Sequence, residues 1–270
     1  MRHPVLLLLC MLLLAACNTE PTPFPAVLTP TPSPTPRPTA LPPVRYALAA
    51  NVVDRVAALN EIERTAQVEP LTDAADPAQL GDRFDIIVTY GAYDGWDRSA
   101  ITPQVSMVIN PQAAPLTPEL ADTLRQGINP QAVVEALQLP GVTPASAITT
   151  SKTALREQLA NVGRPDGLSL VVGHTYAPGI EQIVAQLEAI NVRVRTVALD
   201  HGDLRDALDT GRVQIGVVTW ATTEEQRTWR GLYGAAYTID LYRLPISYLA
   251  VPGLNVRFTA GGWPIAQWSG

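Results

Sequence analysis

Side chains suited to chemistry are scarce in this sequence. It holds two cysteines and three histidines among 270 residues. His3 and Cys10 belong to an apolar leader, which leaves Cys17, His174 and His201. A zinc centre needs three or four close ligands, and these residues do not supply them. A hydrolase needs a nucleophile held against a base. No Gly-x-Ser-x-Gly occurs, and both histidines read as structural or solvent-facing groups. His174 follows a strand-like run, and His201 sits in a polar turn beside Asp200 and Asp203. That turn offers at most a weak cation site, and helix capping by Asp203 explains it more simply. No phosphate loop or dinucleotide fingerprint is present, so the sequence implies neither an enzyme nor a cofactor. Basic residues are scattered and the net charge is −6, which argues against a nucleic-acid surface. The apolar run Pro4 to Leu14 is too short to cross a bilayer comfortably.

That run nevertheless carries information. Arg2 and His3 precede it and small residues follow, the pattern of a secretory signal over residues 1–16. Leu14-Ala15-Ala16-Cys17 resembles the lipobox of bacterial lipoproteins. The resemblance implies cleavage before Cys17 and a lipid anchor on it, which tethers a protein without making it span. An ordinary secretory signal is the alternative. Removal of the leader takes Cys10 with it, so no internal disulfide can form. Residues 17–43 are rich in proline, threonine and serine. Proline fixes φ and removes a donor, so this segment reads as an extended stalk without a core.

From Val44 onward the chain is globular in character. Val44 to Val53 is strand-like, and Val56, Leu59 and Ile62 follow Asp54 at helical spacing. A buried strand is expected over 84–90, and it runs into the glycine- and aromatic-rich loop Gly91 to Trp96. Another strand is expected over 105–110. Thr117-Pro118 and Asn129-Pro130 each place an N-cap before a helix-starting proline. Residues 151–220 then alternate helix, strand, helix, strand, helix and strand. The strands 168–172, 192–199 and 213–219 read as nearly unbroken apolar runs, as in strands buried on both faces. Such alternation points to an α/β fold with a parallel sheet. Leu254 to Phe258 is a final strand candidate, and Gly261 to Pro264 reads as loop.

From about Thr117 to Trp220 this order resembles the C-terminal lobe of bacterial extracellular solute-binding proteins. The group in question is the oligopeptide/nickel-binding group of ABC importers, with the periplasmic-binding-protein type 2 fold. The residues that carry the resemblance are Gln126 to Gln131, the helix Leu155 to Gly163 with Pro165-Asp166-Gly167, Ala189 to Val194, and Gly211 to Trp220. Asp240 to Pro245 and Val251 to Leu254 resemble that group's return strand. The resemblance implies a shortened, two-lobed lipoprotein. Lobe 1 would comprise 44–108 plus 220–270, and lobe 2 would comprise 109–219. A small solute would bind in the cleft between them, and an ABC transporter permease would be the partner.

Ligands of open α/β sheets gather at the carboxyl ends of strands. This makes Tyr90, Tyr93 and Trp96 candidates for contact with a solute, the alternative being a loop that packs on its own lobe. Trp220 ends a central strand at the expected crossing, and Tyr176 follows the first strand of the same unit. If those strands are parallel, both reach one rim, with interlobe packing as the other reading of Trp220. Trp229 would line the cleft or pack the return segment.

Overall fold

The described residues form thirteen short strands and six α-helices, and the strand pairing is more mixed than the sequence suggests. The computed structural model describes residues 41–49, 62, 66–71, 76–145, 151–175, 177–220, 222–259 and 261–269. Cys17, the stalk up to residue 40, most of the helix expected after Asp54, and Tyr176 lie outside these residues. The described residues all belong to the unit Leu41–Gly270.

The first sheet has the order β2-β1-β3-β11-β4. It is built from β1 (Val44–Leu48), β2 (Ala66–Pro70), β3 (Ile86–Tyr90), β4 (Asp97–Arg98) and β11 (Ile246–Ala250). β1 runs parallel to β2 and β3, and β11 runs antiparallel to β3 and β4. Every residue of β3 is buried, as its continuous apolar run requires. The buried Asp85 carboxylate stands at its entrance, bonded to the Arg45 backbone N–H at 2.8 Å and to its guanidinium at 2.6 Å.

The second sheet has the order β6-β10-β5-β9-β7-β8. Its strands are β5 (Gln104–Ile109), β6 (Thr143–Pro144), β7 (Leu168–His174), β8 (Val192–Ala198), β9 (Ile215–Trp220) and β10 (Thr238–Arg243). β7 is parallel to β8 and β9, as expected. β5 is antiparallel to β9 and to β10, so the sheet is mixed. β8 corrects the expectation of burial on both faces. Arg193, Arg195, Thr196 and Ala198 are exposed, because β8 is the sheet's edge.

The chain passes between the sheets at 98–104 and again at 243–246. The expected borders lay at 108–109 and 219–220. They differ because β5 and β10 pair with each other and with β9 inside the second sheet. The two crossings are bonded together, Leu244 N–H to the Pro103 carbonyl at 2.9 Å and Ser99 N–H to the Ile246 carbonyl at 3.0 Å. Just after the expected loop Gly261 to Pro264, the chain forms β13 (Pro264–Trp268), which the sequence did not suggest and which pairs with β12 (Leu254–Phe258) as a hairpin.

The helices are α1 (Pro118–Gln126), α2 (Pro130–Leu137), α3 (Lys152–Asn161), α4 (Ile180–Glu188), α5 (His201–Asp209) and α6 (Thr223–Tyr233). Thr117 and Asn129 cap α1 and α2 through their side chains, each followed by proline. Ser151 occupies the cap position of α3 without a side-chain bond. Asp200, rather than Asp203, caps α5 and accepts the Asp203 N–H at 2.8 Å.

Period-two alternation divides the second sheet between two cores. Ile215 and Val217 of β9 join Val105, Met107 and Val172 in the larger core, which also takes in Val88, Tyr90 and Ile246 of the first sheet. Val218 and Trp220 face the other way, with Val108, under α5 and α6. Gly173 and Gly216 are paired across β7 and β9 on this second face. A Cβ at Gly173 would lie 2.4 Å from Leu204 Cδ1, and one at Gly216 would lie 2.9 Å from Leu208 Cδ1. The two glycines therefore let α5 sit close to the sheet.

Candidate functional site

The carboxyl end of β3 meets the second sheet's helical layer through a short loop. Gly91 has φ +111°, and a Cβ there would lie 2.9 Å from Tyr93 and 3.1 Å from Pro140. Its carbonyl accepts the Ser247 hydroxyl at 2.6 Å. The next residue, Ala92, donates its N–H to the Pro140 carbonyl at 2.6 Å. Gly141 is equally constrained, since a Cβ there would lie 2.4 Å from Ala92 Cβ. The end of β3 thus abuts the turn that follows α2.

Tyr242 of β10 ties in the carboxyl end of β7. Its hydroxyl donates to the Pro178 carbonyl in the turn between β7 and α4. Burial raises the Tyr242 phenol well above its ordinary value, and the nearby Tyr90 acts in the same direction. The phenol therefore stays protonated and serves as a donor. Gly179, with φ +88°, packs against Val133 and the Tyr242 hydroxyl. Tyr90 is fully buried and meets Trp263 edge-on at 5.4 Å between ring centres. At the end of β7, the Thr175 hydroxyl accepts the Thr219 N–H at 3.0 Å.

The expected site residues fall into two groups. Tyr93 and Trp96 are half-buried in the loop after β3, with ring centres 5.6 Å apart. Trp96 rests on the small core of Ala47, Leu71, Phe84 and Ile87. Tyr90 stands beside them in sequence, but its ring points into the larger core. Trp220 and Trp229 lie in a different core, 2% and 4% exposed, with ring centres 5.2 Å apart. Tyr233 continues the stack at 5.8 Å from Trp229 and donates its hydroxyl to Asp209 at 2.6 Å. Trp220 does not face the loop after β3, because strand parity turns it toward α6. Its indole N–H donates to the Ser106 hydroxyl at 2.7 Å, and Ser106 donates to Asp240 at 2.8 Å. Asp240 also accepts from Gln226 at 2.6 Å and Arg230 at 2.7 Å. This network fastens α6 to β5, β9 and β10. Tyr176 lies outside the described residues.

His201 is structural in placement. One ring nitrogen lies 3.0 Å from the Thr219 carbonyl and the other 2.7 Å from Glu225. Among the described residues no three His, Cys, Asp or Glu side chains are grouped to hold a metal ion. No described helix is long and apolar enough to cross a membrane. Tyr242 and the Gly91–Pro140 contact escaped the sequence reading. The glycine before Tyr93 and the Leu139-Pro140-Gly141 turn were visible there, but their meeting was not.

No family model matches the sequence, and neither does any curated protein. Solved structures do match. A substrate-binding protein from Microbacterium hydrocarbonoxydans, complexed with 4-hydroxybenzoate hydrazide, aligns with 76% of this chain and 58% of its own at TM-score 0.53 and 11% identity. The murein tripeptide binding protein MppA of Escherichia coli aligns over 77% and 60% at TM-score 0.48 and 12% identity. A dipeptide binding protein from Pseudoalteromonas sp. SM9913, in complex with Met-Leu, aligns over 80% and 56% at TM-score 0.48 and 12% identity. The chain thus spans roughly three fifths of the length of these structures. Its α/β fold is that of the type 2 periplasmic substrate-binding proteins.

Proposed function

We propose that this chain is an extracytoplasmic solute-binding lipoprotein of an ABC-type importer, tethered to the membrane through Cys17. The observation that carries the proposal is the two-sheet architecture, in which the carboxyl ends of β3 and β7 meet near Tyr242, together with the fold likeness to the Microbacterium protein. Signal, lipobox and stalk fit the same reading. The solute would lie at the carboxyl end of β3, against Tyr93 and Trp96. Small solutes are held in such clefts by apolar and aromatic burial with a few placed polar groups. The sequence resemblance to the oligopeptide/nickel-binding group supports short peptides or nickel chelates as the solute, and the hydrazide-bound Microbacterium protein supports a small aromatic acid derivative. The permease partner belongs to the same proposal, and binding requires no covalent step.

A second reading is favoured by one observation. Tyr90, Tyr242 and Trp263 are all buried in a core shared by both sheets. A protein that kept the fold without a transported ligand, serving as a structural or sensory lipoprotein, would have this interior. Melting temperature measured against dipeptides, tripeptides, aromatic carboxylates and nickel–histidine separates the two. A saturable rise with one class supports the first reading. No response to any of them sinks it and leaves the second.

A further inference from the structure

The outer edge of the second sheet gathers arginines on β8 and on the segments beside it. Among the described residues β8 ends the sheet, and no described strand pairs with its outer side. Its exposed side chains include Arg193 and Arg195, two residues apart and therefore on one face. Register places Ser169 of β7 opposite Arg193 and Val171 opposite Arg195. Together these residues line a shallow groove of about 300 Å³. A second groove, of about 320 Å³, opens around Asn191, immediately before β8, and is lined by Arg156 and Arg164. Among the described residues none of these four arginines is paired with a carboxylate. Arg156 instead donates to the Ala189 carbonyl at 2.7 Å. Glu188 is the one acidic residue lining the groove of Arg156 and Arg164, so the two grooves together carry four guanidiniums and one carboxylate in a chain whose net charge is −6.

We infer that β8 is a docking edge for an extended, acidic polypeptide segment, which adds to the sheet as a further strand. Backbone pairing along a free edge supplies affinity, and alternate side chains supply choice. Arginines at period two on β8 meet carboxylates at period two on an incoming strand, and guanidinium–carboxylate pairing is directional. A second copy of this chain is a poorer occupant, because paired β8 strands would bring like charges together. The inference does not depend on the solute reading.

The probe is a fluorescent, end-blocked Glu-Val-Glu-Val-Glu-Val peptide titrated with the full chain and followed by anisotropy. Saturable binding is expected, weakened at least tenfold in Arg193→Ala/Arg195→Ala and abolished when alternate peptide nitrogens are methylated. Both side chains are exposed, so the variant's unfolding midpoint should match the parent's. Arg193→Lys/Arg195→Lys retains charge and should bind within about threefold of the parent. Absence of binding, equal binding by the alanine variant, or equal binding of the methylated peptide overturns the inference. The arginines would then serve only to keep the edge from aggregating.

Discussion

Gly173 and Gly216 lie opposite one another on parallel strands, directly beneath Leu204 and Leu208 of α5. The close approach of helix to sheet depends on the missing Cβ atoms. Gly173→Ala should cost about 1–3 kcal/mol, the usual cost of overpacking a filled core. Gly216→Ala should cost less, because its contact with Leu208 is looser. Urea denaturation ranks the two. A Leu204→Ala background should reduce the penalty at Gly173, and an additive double mutant would count against this contact.

Asp85 gives a pH prediction. Burial raises its carboxyl, but hydrogen bonds and charge from Arg45 outweigh that, and the net position is below the ordinary 3.8. A lowered folded-state value means that the stabilisation is fully present above the unfolded value. It is lost as pH falls through the folded one. Asp85→Asn should therefore destabilise the protein by about 1–3 kcal/mol at pH 7, the range for a disrupted buried hydrogen bond. The difference from the parent should shrink below pH 4. A difference independent of pH down to 2 would show that the pair contributes through packing alone.

Ser106→Ala removes the acceptor of the Trp220 indole N–H and a donor to Asp240. Leaving a buried donor unpaired costs about 1–3 kcal/mol. Chemical denaturation should show this, together with a change in tryptophan emission, since the neighbouring Trp229 shares the same core. Unchanged stability would mean that water or another group replaces Ser106.

Gly91→Ala tests the junction after β3. The residue's φ of +111° and its contacts with Tyr93 and Pro140 leave no room for a methyl group. Loss of at least about 1 kcal/mol is expected, since a side chain is strained in that backbone region. Any solute response found for the parent should weaken in step. A stable variant with normal binding would remove this loop from the site.

The fold was legible where one residue type left one option. Pro118 and Pro130, each after a capping side chain, marked their helices directly. The run at 86–90 marked a buried strand. β8 was misread because Val192 and Val194 suggested burial, while Arg193 and Arg195 carried the opposite message at the alternate positions. Trp220 ends β9 as expected, and its ring packs under α6. In a strand apolar at nearly every position, nothing local distinguishes inward from outward, and the parity is set by β5, far away in sequence. Tyr242 was invisible as a junction residue for the same reason, since its partner Pro178 lies 64 residues away.

The placement of β10 and β11 has a consequence for synthesis. β10 sits between β6 and β5, and β11 sits between β3 and β4. Each sheet is therefore completed from its middle by a segment that leaves the ribosome late. The Ser247–Gly91 bond joins residues 156 apart, and the Trp220–Ser106 bond joins residues 114 apart. Until residue 250 has emerged, β3 lacks one of its two neighbours and the second sheet ends at β5. Closing such distant contacts is slow. A chain stopped before residue 238 would lack a strand from both sheets at once, so neither half can be expected to fold alone.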